Sequence, residues 1–468
     1  SILIDNGALA DLDLPATDFN GGPRQIGDFI DIGPIESSVA TGGVRDDDPK
    51  TFETAILVST VSELRDALKD TAANGQDDTI LLADGVYAIG EDSLGVLEHI
   101  DNEAQSLTMR AVNPRGVILD AGSASRVLSF NSTEDSTVVL DGLVIKNGAD
   151  SDRVGGVFLN VRYATIMNSV FLDNEGGAVY SYGDYGRGET LVFEGNRVEA
   201  TTGRSAVINN GYYSTLTVDR SVFESNYGAV EADVNYAPAS VKNSIFVDNT
   251  AGGERVSLYL RGGKRTVSNS LFSENVDDGV VPSSATIVYR GNDNHLFANN
   301  VILGDVTITG NDGDVAVSAN YVNPENVSQV GSSENNIFDG ITLGFANQSA
   351  KDFSLMSDSG LIDQGQSDVA SEDDLDIAML PRFSGESVDI GPFEWPTATI
   401  IHSAFPLSWD DGVDADGDGL PGRWEQRYGL SDSEQGDNAA DPDGDSLTNL
   451  EEYELGTDPT RADSDGDG

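Results

Sequence analysis

The sequence predicts an all-β protein: a right-handed parallel β-helix, or solenoid, with an N-terminal cap helix and a small C-terminal EF-hand-like calcium-binding segment. Three observations carry that expectation. Phe-x-x-Asn occurs six times, at Phe171, Phe193, Phe223, Phe246, Phe272 and Phe297, with spacings of 22, 30, 23, 26 and 25 residues, and such spacing marks a repeat architecture. Each copy follows a short run that alternates apolar and polar residues, such as 164–171, the period-two pattern of a half-buried strand. Near the C-terminus, Asp recurs at alternate positions of twelve-residue loops that close on Glu, the ligand spacing of a calcium site.

A strand, a turn and a return every ~25 residues form one coil, which buries its apolar face only by stacking on its neighbours. At the ~4.8 Å spacing of paired strands, a Phe repeated once per coil falls above the previous one and fills the interior. The Asn three residues later is expected at the corner, where Asn tolerates left-handed dihedrals and stacked amides form a ladder. A β-sandwich also turns often, but it has no reason to repeat one tetrapeptide.

The 468 residues hold 26 Lys and Arg against 80 Asp and Glu, a net charge of −54. That excludes nucleic acid and anionic membranes as natural partners and favours cations, calcium above all. With no cysteine, neither disulfides nor thiolate metal sites can form. No run is apolar enough to span a membrane, and the first residues are not a signal peptide. The chain begins and stops inside motifs, as a piece of a longer protein would.

Placing residues 1–36 on 359–394 aligns Asp5 with Asp363, Gly7 with Gly365, Pro23 and Arg24 with Pro381 and Arg382, Asp31 to Pro34 with Asp389 to Pro392, and Glu36 with Glu394, without a gap. This is an internal duplication. The pattern Ser359-x-Leu-Ile-Asp363-x-Gly365, Pro381-Arg382 and Val388-Asp-Ile-Gly-Pro-Phe-Glu394 resembles the closing segment of bacterial surface β-helix proteins of the choice-of-anchor Q type. That resemblance implies that 1–36 closes a preceding module, that 37–58 is a linker, and that 359–394 closes this one.

Val61, Leu64, Ala67 and Leu68 share one face of a helix-forming stretch, which runs on into the apolar strand residues 79–89. Residues 59–104 are similar to the N-terminal cap of the CSLREA type, with Ser62 at that family's serine; the helix is expected to cover the open end of the solenoid. Coils follow over 105–358, about ten at ~25 residues each. Gly176-Gly-Ala-Val179 resembles the repeat of polymorphic membrane proteins, β-helical adhesins.

After a connector at 395–410, the segment 411–468 carries three acidic loops. Asp414, Asp416, Asp418, the Leu420 carbonyl and Glu425 occupy positions 1, 3, 5, 7 and 12 of an EF-hand loop, with Gly419 at the sixth for its sharp turn. Asp441, Asp443, Asp445, Leu447 and Glu452 repeat the pattern, with Ser446 in place of the glycine; Asp463, Asp465 and Asp467 begin a third. The segment is similar to thrombospondin type 3 or dockerin-like repeats. It holds 19 acids and three arginines from 410 on, so calcium is expected to fold it.

Parallel β-helices include polysaccharide lyases, in which a Lys or Arg base faces a neutralised carboxylate. The candidates here are Arg255, Arg261, Lys264, Arg265 and Arg290; Arg265 and Arg290, 25 residues apart, are expected one coil apart on one face. His99, His295 and His402 have no matched partners in sequence, and fold alone grants no activity. The reading is therefore a non-catalytic extracellular structural or adhesive module of a calcium-stabilised, tandem-repeat surface protein, stalk or filament, its partners calcium and like modules head to tail. The alternative is a polysaccharide lyase or a polysaccharide-binding rod for acidic glycans.

Overall fold

The computed structural model describes residues 55–395, apart from short internal stretches, and a few positions between 418 and 450. The expected segment 1–36 and the linker up to residue 54 lie outside the described residues, as does most of 396–468.

Three long sheets run the length of the body, with 12, 9 and 10 strands, here called sheets I, II and III in the order in which each coil visits them. One coil, for example, is Tyr163–Met167 in sheet I, Val170–Leu172 in sheet II and Val179–Tyr182 in sheet III. Strands within each sheet pair in parallel and in register, as Val222–Glu224, Ile245–Val247 and Leu271–Ser273 do. The chain is a parallel β-helix. The apolar run 164–171, expected as one strand, is two: Asn168 and Ser169 turn the chain between sheets I and II.

The repeated Phe side chains are all fully buried, but they do not share one sheet. Phe171, Phe223, Phe246 and Phe272 lie in sheet II; Phe193 and Phe297 lie in sheet I. Where sheet II supplies the smaller Val198 or Ile302, the ring comes from the facing sheet. A single file of rings results, with centroids 5.9, 5.9, 4.9, 4.7 and 6.2 Å apart from Phe171 to Phe297. This exchange of sheets explains the uneven 22- and 30-residue spacings in the sequence.

The asparagines likewise form two ladders, not one. At the corner between sheets I and II, each backbone N–H donates to the side-chain oxygen of the next coil: Ser169 to Asn196, Asn196 to Ser221, Ser221 to Ser244, Ser244 to Ser270, Ser270 to Asn300, Asn300 to Asn320 and Asn320 to Asn336, at 2.8–3.3 Å. After sheet II a second ladder joins Thr201, Asn226, Asn249 and Asn275. Each Asn amide also reaches back to a strand carbonyl of the preceding coil, Asn249 to Phe223 and Asn275 to Phe246. That double reach fixes the three-residue step from Phe to Asn. The left-handed residue is not the ladder Asn but its predecessor: Asp173, Ser225, Asp248, Glu274 and Asn299 have φ of 50–57°.

The cap helix is Val61–Asp70. Thr60 accepts a hydrogen bond from the Glu63 N–H, and the Glu63 carboxylate accepts from Ser59, a variant of the capping box. Leu64, Ala67 and Leu68 are buried as expected, and the helix packs on the strand Leu97–Asp101, where the His99 ring meets the Leu68 carbonyl at 2.9 Å.

The last strand of sheet I is Ser332–Glu334. Residues 341–395 then run along the outer face of sheet II, where Phe353, Leu355, Leu361, Ile377, Ile390 and Phe393 join Val222, Ile245, Val247, Leu271 and Val301 in one apolar cluster. Lys242 fastens this strap through Asp374 at 2.7 Å, and Asn299 fastens it through the backbone of Gln366 and Gly391. Residues 341–395 thus cover part of the outer face of sheet II.

Asn249→Ala leaves the Phe223 carbonyl and the Asn226 N–H without their ladder partner. The expected cost is about 1–3 kcal/mol, read as faster amide exchange in the two flanking coils while the cap helix keeps its protection.

Candidate functional site

The basic residues singled out in the sequence do not form one cluster. Arg261, in Leu258–Gly262, and Arg290, in Thr286–Arg290, are in register on sheet III. Arg261 is half exposed and pairs with Asp233 at 3.3 Å. Lys264 is exposed at the following corner. Arg265 opens the next strand of sheet I and is fully buried, donating to the carbonyls of Ala237, Lys264 and Arg261. It clips the corner from inside, so the expected surface pairing of Arg265 with Arg290 is corrected: Arg290 follows Arg261, 29 residues away, because this coil is longer than 25. Arg255 lies outside the described residues.

Along the same sheet, Tyr182, Asn210, Asp233, Arg261 and Arg290 occupy one register position in successive coils. Beside them Phe158 stacks on Tyr180 at 6.0 Å, Tyr180 on Tyr182 at 6.4 Å, and the Arg126 guanidinium lies over Phe158. The sequence signal for this shelf was available: Phe158, Tyr180 and Tyr182 fall one position out of phase with the inward residues of their strands.

The densest charged group is elsewhere, inside the strap. Arg382, Asp376, Asp389 and Glu394 are all buried to 1% exposure or less. Arg382 faces Glu394 at 3.6 Å and donates to the Asp389 carbonyl. The Asp389 carboxylate accepts from the Asp363 and Trp395 N–H groups, Glu394 accepts from the Asp389 N–H, and Asp376 accepts from the Glu394 N–H. Gly365 lies against this knot, where a β-carbon would meet the Val388 carbonyl at 2.6 Å. The duplicated motif is therefore a folding device: its Asp, Gly, Arg and Glu positions each hold the strap to itself. Burial pushes the Glu394 carboxyl up to about 8 and Asp389 up to about 6, against the pull of Arg382.

Of the calcium-loop residues, Asp418, Leu420, Asp441 and Leu447 are described; Asp414, Asp416, Glu425, Asp443, Asp445, Glu452, Asp463, Asp465 and Asp467 lie outside the described residues. Asp418 accepts from the Leu420 and Asn438 N–H groups, and Asp441 accepts from the Gly444 N–H. Leu420 and Asn449 are buried. Among the described residues no three carboxylates or imidazoles are placed so that they could hold a metal ion.

No protein-family model matches the chain, and no curated protein matches it. Among solved structures it is similar to a mannuronic acid specific polysaccharide family 6 lyase from human gut microbiota, at 14% identity and a TM-score of 0.33, over 57% of this chain and 64% of that one. It is also similar to pectate lyase Pel9A (16% identity, TM-score 0.39, 70% and 90% covered) and to PL6 family alginate lyase AlyGC (12%, 0.22, 62% and 54%). The aligned part thus spans less than two thirds of the family 6 lyase. All these TM-scores are below 0.5, and they say nothing about substrate or chemistry.

Removing Arg382 leaves three buried carboxyls around an empty place, so Arg382→Met is expected to cost the strap about 3–5 kcal/mol, read as loss of exchange protection over 341–395 with the cap helix unchanged. The pH dependence follows from the raised carboxyls. The folded strap binds their protons more tightly than the unfolded chain does, so their contribution is complete below the ordinary values of 3.8 and 4.5 and is lost as pH rises through about 6 and about 8. Strap stability is expected to fall between about pH 4 and about pH 8, the window between the ordinary and the raised values, and Glu394→Gln is expected to flatten its upper half.

Proposed function

We propose that this chain is a non-catalytic structural module of an extracellular surface protein, stalk or filament, with a C-terminal segment that calcium folds. The observation that carries the reading is where the fold places four of its arginines. Arg382 sits inside the strap, Arg265 inside a corner, and Arg197 and Arg220 bridge carboxylates of neighbouring coils. They hold coils and strap together, and none of them is presented to a substrate. No helix among the described residues is long and apolar enough to cross a membrane.

Calcium enters through the acidic loops. Asp414, Asp416, Asp418, the Leu420 carbonyl and Glu425 would hold one ion; Asp441, Asp443, Asp445, the Leu447 carbonyl and Glu452 would hold a second. Asp463, Asp465 and Asp467 would begin a third. Bound ions would offset the repulsion among the 19 acids from residue 410 on and turn a self-repelling tail into a compact spacer.

Sheet III supports a second reading, a rod that binds an acidic polysaccharide. Its stacked, partly exposed Tyr180 and Tyr182 rings, backed by the buried Phe158, offer an aromatic surface, and Arg261 and Arg290 follow in register. Binding without turnover fits the structural reading as well.

Calcium titration of the whole chain is expected to show two strong sites and a rise in the melting temperature of the 411–468 transition. Asp414→Asn with Asp441→Asn is expected to abolish both effects. An unchanged transition in chelator removes the calcium half of the proposal. Release of unsaturated uronates from alginate or pectate would replace the structural reading with that of a lyase.

A further inference from the structure

The outer face of sheet II is apolar in two separate places. In the later coils Val222, Ile245, Val247, Leu271 and Val301 are covered by the strap. In the earlier coils Val144, Val170 and Leu172 form a second cluster, all at 0% exposure, with Ile118 packed on it. Val144 and Val170 occupy the register position that Val222, Ile245 and Leu271 occupy further along, and Arg197, paired with Glu199 and Glu224, stands between the two groups. Among the described residues, every apolar member of the earlier cluster belongs to sheet II itself. An outward-facing apolar group this well buried needs a cover from outside the sheet.

The sequence contains a second copy of the known cover. At the constant offset of 358 that relates 1–36 to 359–394, the buried charges Asp376, Arg382, Asp389 and Glu394 become Asp18, Arg24, Asp31 and Glu36. The apolar strap residues Leu361, Ile377, Ile390 and Phe393, which share one cluster with sheet II, become Leu3, Phe19, Ile32 and Ile35, whereas Phe353 and Leu355 of that cluster lie before the duplicated stretch. The charged residues of the knot that holds the strap together and four of the six apolar strap residues in that cluster are therefore repeated. The twenty steps from Glu36 to Ile56, the first strand residue of sheet I, can span about 65 Å, whereas the earlier cluster lies only about 10–20 Å along the stack from that edge at the strand spacing.

We propose that residues 1–36 form a second strap that docks on the earlier half of sheet II of the same chain, over Ile118, Val144, Val170 and Leu172. One outer face is then closed by two copies of one device. This rests on the duplication and the apolar clusters, and it is independent of the calcium reading. It also differs from the expectation that 1–36 closes a preceding module, which would leave the earlier cluster to another cover.

Amide exchange on the intact chain tests it. Residues 1–36 are expected to exchange at least about tenfold more slowly than an unstructured peptide, equally at low and high protein concentration. Leu3→Asp with Ile32→Asp, which changes only the segment and spares the solenoid, is expected to abolish that protection. It should also speed exchange in Leu143–Lys146 and Val170–Leu172 while leaving Ile245–Val247 unchanged. Because the chain has no cysteine, Ile118→Cys paired in turn with Leu3→Cys, Ile32→Cys or Ile35→Cys should yield an intramolecular disulfide. Unprotected residues 1–36 overturn the proposal, as does protection that leaves Leu143–Lys146 indifferent to the double variant. Protection or cross-linking that appears only at high concentration overturns it in favour of docking between chains.

Discussion

The structure depends on one hydrogen bond repeated along a corner: a backbone N–H donating to the side-chain oxygen of the equivalent residue in the next coil. From Ser169 to Asn336 this link is unbroken. A coiled chain must turn between sheets, and each turn strands main-chain donors that no strand neighbour can reach. The ladder satisfies them within the stack, where an unpaired group would cost about 1–3 kcal/mol. It also fixes register. A coil shifted by one residue would lose its ladder bond and turn its apolar residues outward together.

Inside that frame the aromatic file has freedom that the ladder lacks. Phe193 and Phe297 enter from sheet I where their coils carry Val198 and Ile302 in sheet II, and the ring column continues regardless. The interior asks for volume at a given height, not for a given strand to supply it. The corner asks for a particular atom at a particular place. The requirement on chemistry is therefore narrower at the ladder positions than in the core.

The fold was legible because its constraints are local: alternation gave the strands, the tetrapeptide gave the coil, and the apolar face at Val61, Leu64, Ala67 and Leu68 gave the cap helix. What escaped were features written in equivalent atoms. Ser221, Ser244 and Ser270 hold the same ladder places as Asn196 and Asn300, yet no Asn pattern includes them. The left-handed corner residue goes unnoticed for the same reason, since Asp173, Ser225 and Glu274 share a dihedral but no side chain. Arg265 reads as a surface base, because a sequence does not show that three carbonyls converge on its guanidinium. The duplicated Asp, Arg and Glu of 359–394 are visible in the sequence as a repeat, but not the mutual bonds that bury them. The calcium loops remain a sequence reading, resting on the spacing of Asp414 to Glu425 and Asp441 to Glu452.

Residue-resolved exchange of the corner amides bears most directly on the claim that side-chain ladders hold the stack. The N–H groups of Ser169, Ser221, Ser244, Ser270 and Asn300 are expected to be as slow as those at the centres of the adjoining strands, and to open only together with them. Exchange at the rate of ordinary exposed turns, while the strands stay protected, would contradict the account.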